Sequence, residues 1–154
     1  MKFWYRRISP NILNELKIIQ SSEFEDVLKN GEYISRLGVY SHKHKVISLN
    51  RLYFGRNVSE NNKAKLEKGT FRTVLLHGLD YYYFETYKEN YNLLELYKKI
   101  YDGNNGQIYQ VYKELEDNGI KGDELIKEIH AIEFSRYSEE AIENFINFYH
   151  KDLL

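Results

Sequence analysis

The sequence predicts an α+β fold, helix-dominant, as a single globular domain over residues 1–154. Three observations predict it. The second half carries apolar residues at three- and four-residue spacing, each run closed by a turn or capping residue, as in helices packed on a core. Between residues 32 and 49 the apolar residues partly alternate, as in short strands. A chain of 154 residues buries about two-thirds of its unfolded surface, enough for one core without disulfides or metals.

Taken in order, residues 2–8 are apolar and aromatic, then basic, and read as a first strand. Ser9-Pro10 is a helix start, an N-cap hydroxyl followed by proline in the first turn. Ile12, Leu13, Leu16 and Ile19 then fall at helical spacing, which predicts a helix over 10–20. Ser22-Glu23-Phe24-Glu25 has the capping-box pattern, and Gly31 suits the position after a helix end. That predicts a short second helix over 23–30. Residues 32–40 and 43–49 read as short strands, the first interrupted by Gly38; 49–54 reads as a helical turn stopped by Gly55. The polar run 56–67 reads as an exposed loop.

Thr70 can cap a buried segment over 71–76 that ends at Gly78. Tyr81-Tyr82-Tyr83-Phe84 fits a buried strand or an interface edge over 79–86. Leu93, Leu94, Tyr97 and Ile100 predict a helix over 90–102. Ile108, Val111, Tyr112 and Leu115 predict another, closed by Asn118-Gly119. Asp123 can cap Leu125, Ile126 and Ile129. Ser138 opens a last helix with Glu139 and Glu140 in its first turn, where acids complement the helix dipole; its inner face is Ala141, Ile142, Phe145, Ile146 and Tyr149.

The N-terminal order resembles that of the YfbM-like family of uncharacterised bacterial domains. The likeness rests on Phe3-Trp4-Tyr5-Arg6-Arg7-Ile8-Ser9, a short apolar strand running into a Ser-led helix. It also rests on Leu49-Asn50-Arg51-Leu52-Tyr53, similar to the family's Leu-Asp-Lys-x-Trp at the start of a helix, with Asn50 and Tyr53 in place of the acid and the tryptophan. The aromatic last helix over 145–149 is similar in character. The resemblance covers the first third and the last helix; it implies an α+β fold and no particular chemistry.

Composition narrows the function classes. With no cysteine, disulfides, thiolate metal sites and Cys catalysis are excluded. No apolar run follows the charged N-terminus and none is long enough to span a membrane, so a cytoplasmic protein without membrane contact is expected. Fifteen tyrosines are an excess that suits a contact surface, since Tyr brings large, rigid, amphipathic area. An AT-rich coding sequence, as in low-GC bacteria and their phages, accounts for much of the same excess. The net charge of −1 conceals a split. Residues 1–77 carry 14 Lys and Arg against 7 Asp and Glu; residues 78–154 carry 8 against 16. The two halves either pair with each other, within one chain or across a homodimer, or leave one face for a polar partner.

The basic charge concentrates in Arg36, Lys43, Lys45, Arg51, Arg56, Lys63, Lys65 and Lys68, followed by Arg72. These residues, except Arg72, together with Tyr81, Tyr82 and Tyr83, are the candidate partner-binding set. A protein partner is expected, with nucleic acid the alternative through the basic segment 36–72.

Catalytic readings compete with this one. His42 and His44, two residues apart, would share a face on a strand and could pair on a metal, but no third ligand stands near them, and no metal or cofactor is expected. With Lys45 and Arg51 they could act on a phosphodiester; a solvated basic turn is the plainer reading. Arg72 to His77 and Arg36 to His42 are similar to the short Arg-x4–6-His signature of HEPN ribonucleases. That resemblance implies a ribonuclease-like toxin using His42, His44, Arg72 and His77, whereas the plainer reading is a surface Arg and a core-flanking His. Asp80, Glu85 and Glu89 could divide acid and base roles. Glu114, Glu116, Asp117, Asp123, Glu124 and Glu128 read as solvated helix faces, or as an acidic patch mimicking nucleic acid. No Gly-rich phosphate loop or nucleophilic serine elbow is present. The function expected from these features is a small interaction protein that binds and neutralises a macromolecular partner, of the immunity or anti-defence type.

Overall fold

Among the described residues there are five short strands, and one long helix packs against two of them. The structure, a computed structural model, describes residues 15–24, 26–29, 31–66, 70–102 and 108–153. The strand expected over 2–8 and the start of the helix expected over 10–20 lie outside the described residues. Of the rest, Glu15 is helical, but from Lys17 on the chain is instead strand β1, Lys17–Ser21. It pairs in parallel with β5, Val46–Asn50, from Lys17 opposite Val46 to Ser21 opposite Asn50. The helical reading puts Ile19 inside, but as a strand residue it is 44% exposed, while Leu16 and Ile18 face the core.

The short helix expected over 23–30 is also corrected. Asp26–Lys29 is β2, paired antiparallel with β3, Glu32–Ser35. Asn30-Gly31 is a two-residue hairpin sequence, and Gly31 takes φ +81°, the left-handed conformation such turns require. The Ser21 hydroxyl accepts the Glu23 N–H at 3.1 Å, closing a local turn rather than a helix cap. β4, Gly38–Ser41, runs antiparallel to β5 across the turn 42–45, so the three-stranded sheet has the order β1-β5-β4.

Beyond β5 the chain makes one helical turn, with Tyr53 and Phe54 N–H both on Asn50 O. The Leu49–Tyr53 motif is thus a strand end and a turn. The loop expected over 56–67 contains a short exposed helix, α1, Glu60–Ala64, capped by the Ser59 hydroxyl on Asn62 N–H at 3.2 Å.

Residues 70–91 overturn two expectations at once, the stop at Gly78 and the strand over 79–86. They form a single 22-residue helix, α2, Thr70–Tyr91, through Gly78 and through the aromatic run. One side lies against β4 and β5, the other against α3, Leu93–Asp102, and α5, Gly122–Phe134. A helix covered on both sides has no polar stripe, so its sequence lacks the period that marks surface helices. Gly78 costs about 1 kcal/mol of helix propensity relative to alanine, but it lets the sheet approach. A methyl group there would lie 2.9 Å from Ile47 Cδ1 and Cγ1. Gly38, which opens β4, is likewise close to Val74 Cγ1. Gly78→Ala is therefore expected to destabilise the fold by about 1–3 kcal/mol, the usual range for overpacking, despite its better helix propensity. In an Ile47→Ala background the same change should cost less. A raised urea midpoint for Gly78→Ala would refute this account.

The remaining helices follow their patterns. α4, Ile108–Asp117, ends with Gly119 at φ +86°; the Ile120 N–H reaches Leu115 O and the Gly119 N–H reaches Glu116 O, the paired bonds of a glycine-closed helix end. α6, Glu139–Leu153, starts at the Ser138 hydroxyl, which accepts the Ala141 N–H at 3.2 Å. Ile142, Ile146 and Tyr149 of α6 are buried; Ala141 turns outward. Asp123 sits in the first turn of α5, where it pairs with Lys98 at 3.1 Å rather than capping. The result is a mixed α+β fold, 59% helical, with a small three-stranded sheet.

Candidate functional site

Two concavities hold five of the residues singled out by the sequence, Arg36, His77 and Tyr81 in one and Arg51 and Arg56 in the other. The first is a cavity of about 520 Å³ where α2 crosses β4 and approaches α5. Its walls are apolar, from Leu37, Val39, Ile47, Val74 and Ile120. Its polar groups are Arg36, Tyr40, Thr73, His77, Tyr81 and Glu128. His77 and Tyr81 stand four residues apart on one face of α2. The Tyr81 hydroxyl donates to Glu128 Oε1. That hydroxyl has a single proton, so its oxygen accepts from His77 Nε2–H at 2.8 Å. Glu128 Oε2 lies 3.7 Å from His77 Nε2, beyond hydrogen-bond range.

Electrostatics set the protonation of Glu128 and Tyr81. Burial alone would raise the Glu128 carboxyl, but the neighbouring His77 ring and the Tyr81 donor outweigh it and hold the group below the ordinary glutamate range. Burial and the Glu128 charge push the Tyr81 phenol well above its ordinary value. Glu128 is therefore an anion and Tyr81 a neutral donor at pH 7. Beside them, Lys127 Nζ sits 4.9 Å above the Tyr81 ring and 2.7 Å from Glu85 Oε1.

The second concavity is an open groove of about 900 Å³ along the turn after β5, α1 and the start of α2. Arg51 and Arg56 line it with the exposed apolar side chains Leu52 and Phe71, at 54% and 44% exposure. Polar neutral groups complete it, among them Gln20, Ser59 and Asn62, and no carboxylate lines it among the described residues.

The four residues of the catalytic reading do not meet. His42 and His44 lie in the turn between β4 and β5, not on a strand face. The His42 ring bonds the Tyr40 hydroxyl at 2.9 Å and Lys45 Nζ at 2.7 Å. Partial burial, then the Lys45 charge, lowers its basicity. His44 is exposed. Arg72 donates to the carbonyls of Ser135 and Tyr137, at 3.1 and 2.6 Å, and so pins the start of α2 to the α5–α6 turn. Only His77 enters the cavity.

Asp80, Glu85 and Glu89 also diverge. Asp80 is buried against His130, Glu85 pairs with Lys88 and Lys127, and Glu89 is exposed. Among the described residues no cluster of three or more metal-ligating side chains occurs, and no helix is long and apolar enough to cross a membrane.

The partner-binding set divides similarly. Tyr82 and Tyr83 are 0% exposed, so neither ring can reach a partner in this fold. Long aromatic side chains on a helix covered on both sides go to the core. Tyr81 reaches the cavity, as does Arg36. Lys43 and Lys65 are exposed, Lys45 holds His42, and Lys63 pairs with Glu60 at 3.6 Å. Lys68 lies outside the described residues. The sequence groups Glu128 with the solvated acids. The His77–Tyr81 spacing becomes legible once 79–86 is read as helix, but no local signal singles out Glu128. Comparison with protein-family models, with curated proteins and with solved structures finds no match for this chain.

Proposed function

We propose that this is a small cytoplasmic interaction protein that binds and neutralises an acidic protein partner, as immunity and anti-defence proteins do, through the groove at Arg51 and Arg56. One observation carries the reading. The excess basic charge is not consumed within the fold. Among the described residues, those acids of the C-terminal half that pair with lysine or arginine do so within that half, Glu85 with Lys88 and Lys127, Asp123 with Lys98, Glu116 with Lys113 and Glu133 with Arg136. Arg36, Lys43, Arg56 and Lys65 make no ion pair among the described residues.

The groove's chemistry favours protein over nucleic acid. Arginines beside exposed Leu52 and Phe71 match the mixture found at protein interface centres, where Arg and aromatic residues are enriched and Lys is depleted. A nucleic-acid track would instead string cations along a backbone path.

Arg51→Glu with Arg56→Glu is expected to leave the thermal melt nearly unchanged, because exposed substitutions usually stay within about ±0.5 kcal/mol each. The pair should weaken capture of the partner from source-cell extract, chiefly through on-rate and most clearly at low salt. Unaltered capture across salt would place the contact elsewhere. Nuclease-sensitive capture, with log affinity falling by roughly 0.7–0.9 per phosphate contact on a log-salt axis, would replace the protein partner with nucleic acid.

A further inference from the structure

We propose that the cavity between β4, α2 and α5 binds a small zwitterion with an apolar body, of the α-amino-acid class, with its ammonium group on Glu128 and its carboxylate on Arg36. The site shares no lining residue with the Arg51–Arg56 groove and stands independently of the partner-binding reading.

The charges in the cavity make the case. Apart from the neutral polar groups Tyr40, Thr73 and Tyr81 and the His77 ring, its described walls are apolar, and among the described residues its guanidinium is Arg36 and its carboxylate Glu128. Arg36 and Glu128 form no ion pair with each other: Arg36 is exposed at the rim of the cavity, and the ionic neighbour of Glu128 is His77, 3.7 Å from Oε2 and outside hydrogen-bond range. Glu128 Oε1 is held by Tyr81, which fixes the carboxylate in place. Oε2 has no hydrogen-bond donor among the described residues, and the Glu128 side chain is only 23% exposed. A half-buried carboxylate with one open oxygen is a receptor for a cationic N–H donor.

An anion alone would be repelled by Glu128. A cation alone would leave Arg36 unmatched at the same opening. A molecule carrying both charges satisfies both, and an apolar side chain would lie on Val39, Val74 and Ile120. The volume of about 520 Å³ falls within the usual range for small-ligand sites.

The test is calorimetric titration of the full chain with L-phenylalanine and L-leucine, set against phenethylamine, which lacks the carboxylate, and 3-phenylpropionate, which lacks the amine. Saturable binding of the amino acids is expected, with each truncated analogue about 10–100-fold weaker, the usual effect of a lost charge-assisted hydrogen bond. Arg36→Gln should remove the preference for phenylalanine over phenethylamine. Glu128→Gln should remove the preference over 3-phenylpropionate. Because Glu128→Gln also disturbs Tyr81, its melt is recorded alongside; if that variant does not fold, Arg36→Gln and the analogue series decide alone. The proposal is overturned by absence of saturable binding at millimolar amino acid. Preferences that survive Arg36→Gln, or 3-phenylpropionate binding as tightly as phenylalanine, would overturn it equally.

Discussion

Asp80→Ala is expected to destabilise the protein by about 3–5 kcal/mol, the usual cost of removing one partner from a buried pair of ionisable groups. Asp80 is 0% exposed and His130 is 1% exposed, with Oδ1 and Nδ1 2.8 Å apart. The Tyr97 hydroxyl donates to the same Oδ1 at 3.2 Å, and the Tyr97 ring stacks on the imidazole at 3.4 Å and 4°. Truncating the carboxylate strands two polar groups in a region closed to water. The loss compares with a whole domain's stability of about 5–15 kcal/mol.

The intact contact is nevertheless a poor net stabiliser. Asp80 Oδ2 is buried with no hydrogen-bond partner among the described residues, so part of the desolvation cost of the carboxylate is never recovered. Replacing both residues by apolar ones, Asp80→Leu with His130→Leu, should therefore cost less than Asp80→Ala alone. Urea unfolding of the two single variants and the double variant measures the coupling. Additive losses would mean that the two side chains do not act as a unit. A double variant less stable than either single one would mean that the polar pair is a net source of stability.

The legibility of the fold tracks how much of each element's surface meets water. α3, α4, α5 and α6 each keep a solvated face, so their apolar positions recur at helical spacing and their ends are read nearly to the residue, at Gly119 and at Ser138. α2 keeps no such face. Its aromatic run has strand propensity, and Gly78 has the look of a stop, because sequence records propensity while tertiary packing decides the outcome. Near the N-terminus two local signals compete over the same residues, the capping box at Ser22–Glu25 and the turn-favouring Gly31. The hairpin prevails because cross-strand pairing of Val27 with Ile34 and of Leu28 with Tyr33 extends over the whole segment, whereas a cap stabilises one end. The cavity is half legible. Charge and residue type single out His77 and Arg36, but the Glu128 that completes the trio lies 47 residues from Tyr81 in sequence. Its local context is that of a solvated helix face.

Tyr83 puts the two readings of the tyrosine run in direct competition. If the run were a contact surface, Tyr83→Ala would spare the fold and abolish binding. In the structure Tyr83 is 0% exposed and sits in an aromatic stack, parallel to Tyr149 at 4.8 Å and 16°, with Tyr87 at 6.1 Å and Phe145 edge-on at 5.9 Å. Its ring therefore joins α2 to α6 within the core. Tyr83→Ala is expected to cost about 3–5 kcal/mol, as for other large aromatic truncations that leave a cavity. For a chain of this size that corresponds to a melt lower by roughly 6–20 °C. Tyr83→Phe keeps the ring and should cost far less, so it separates packing from the hydroxyl's own contact. If Tyr83→Ala leaves too little folded protein to measure, Tyr83→Leu supplies the intermediate case. Near-UV circular dichroism and urea midpoints on the three variants decide the matter. A native midpoint for Tyr83→Ala would mean that the ring is not a core element, and would return the tyrosine run to the contact surface.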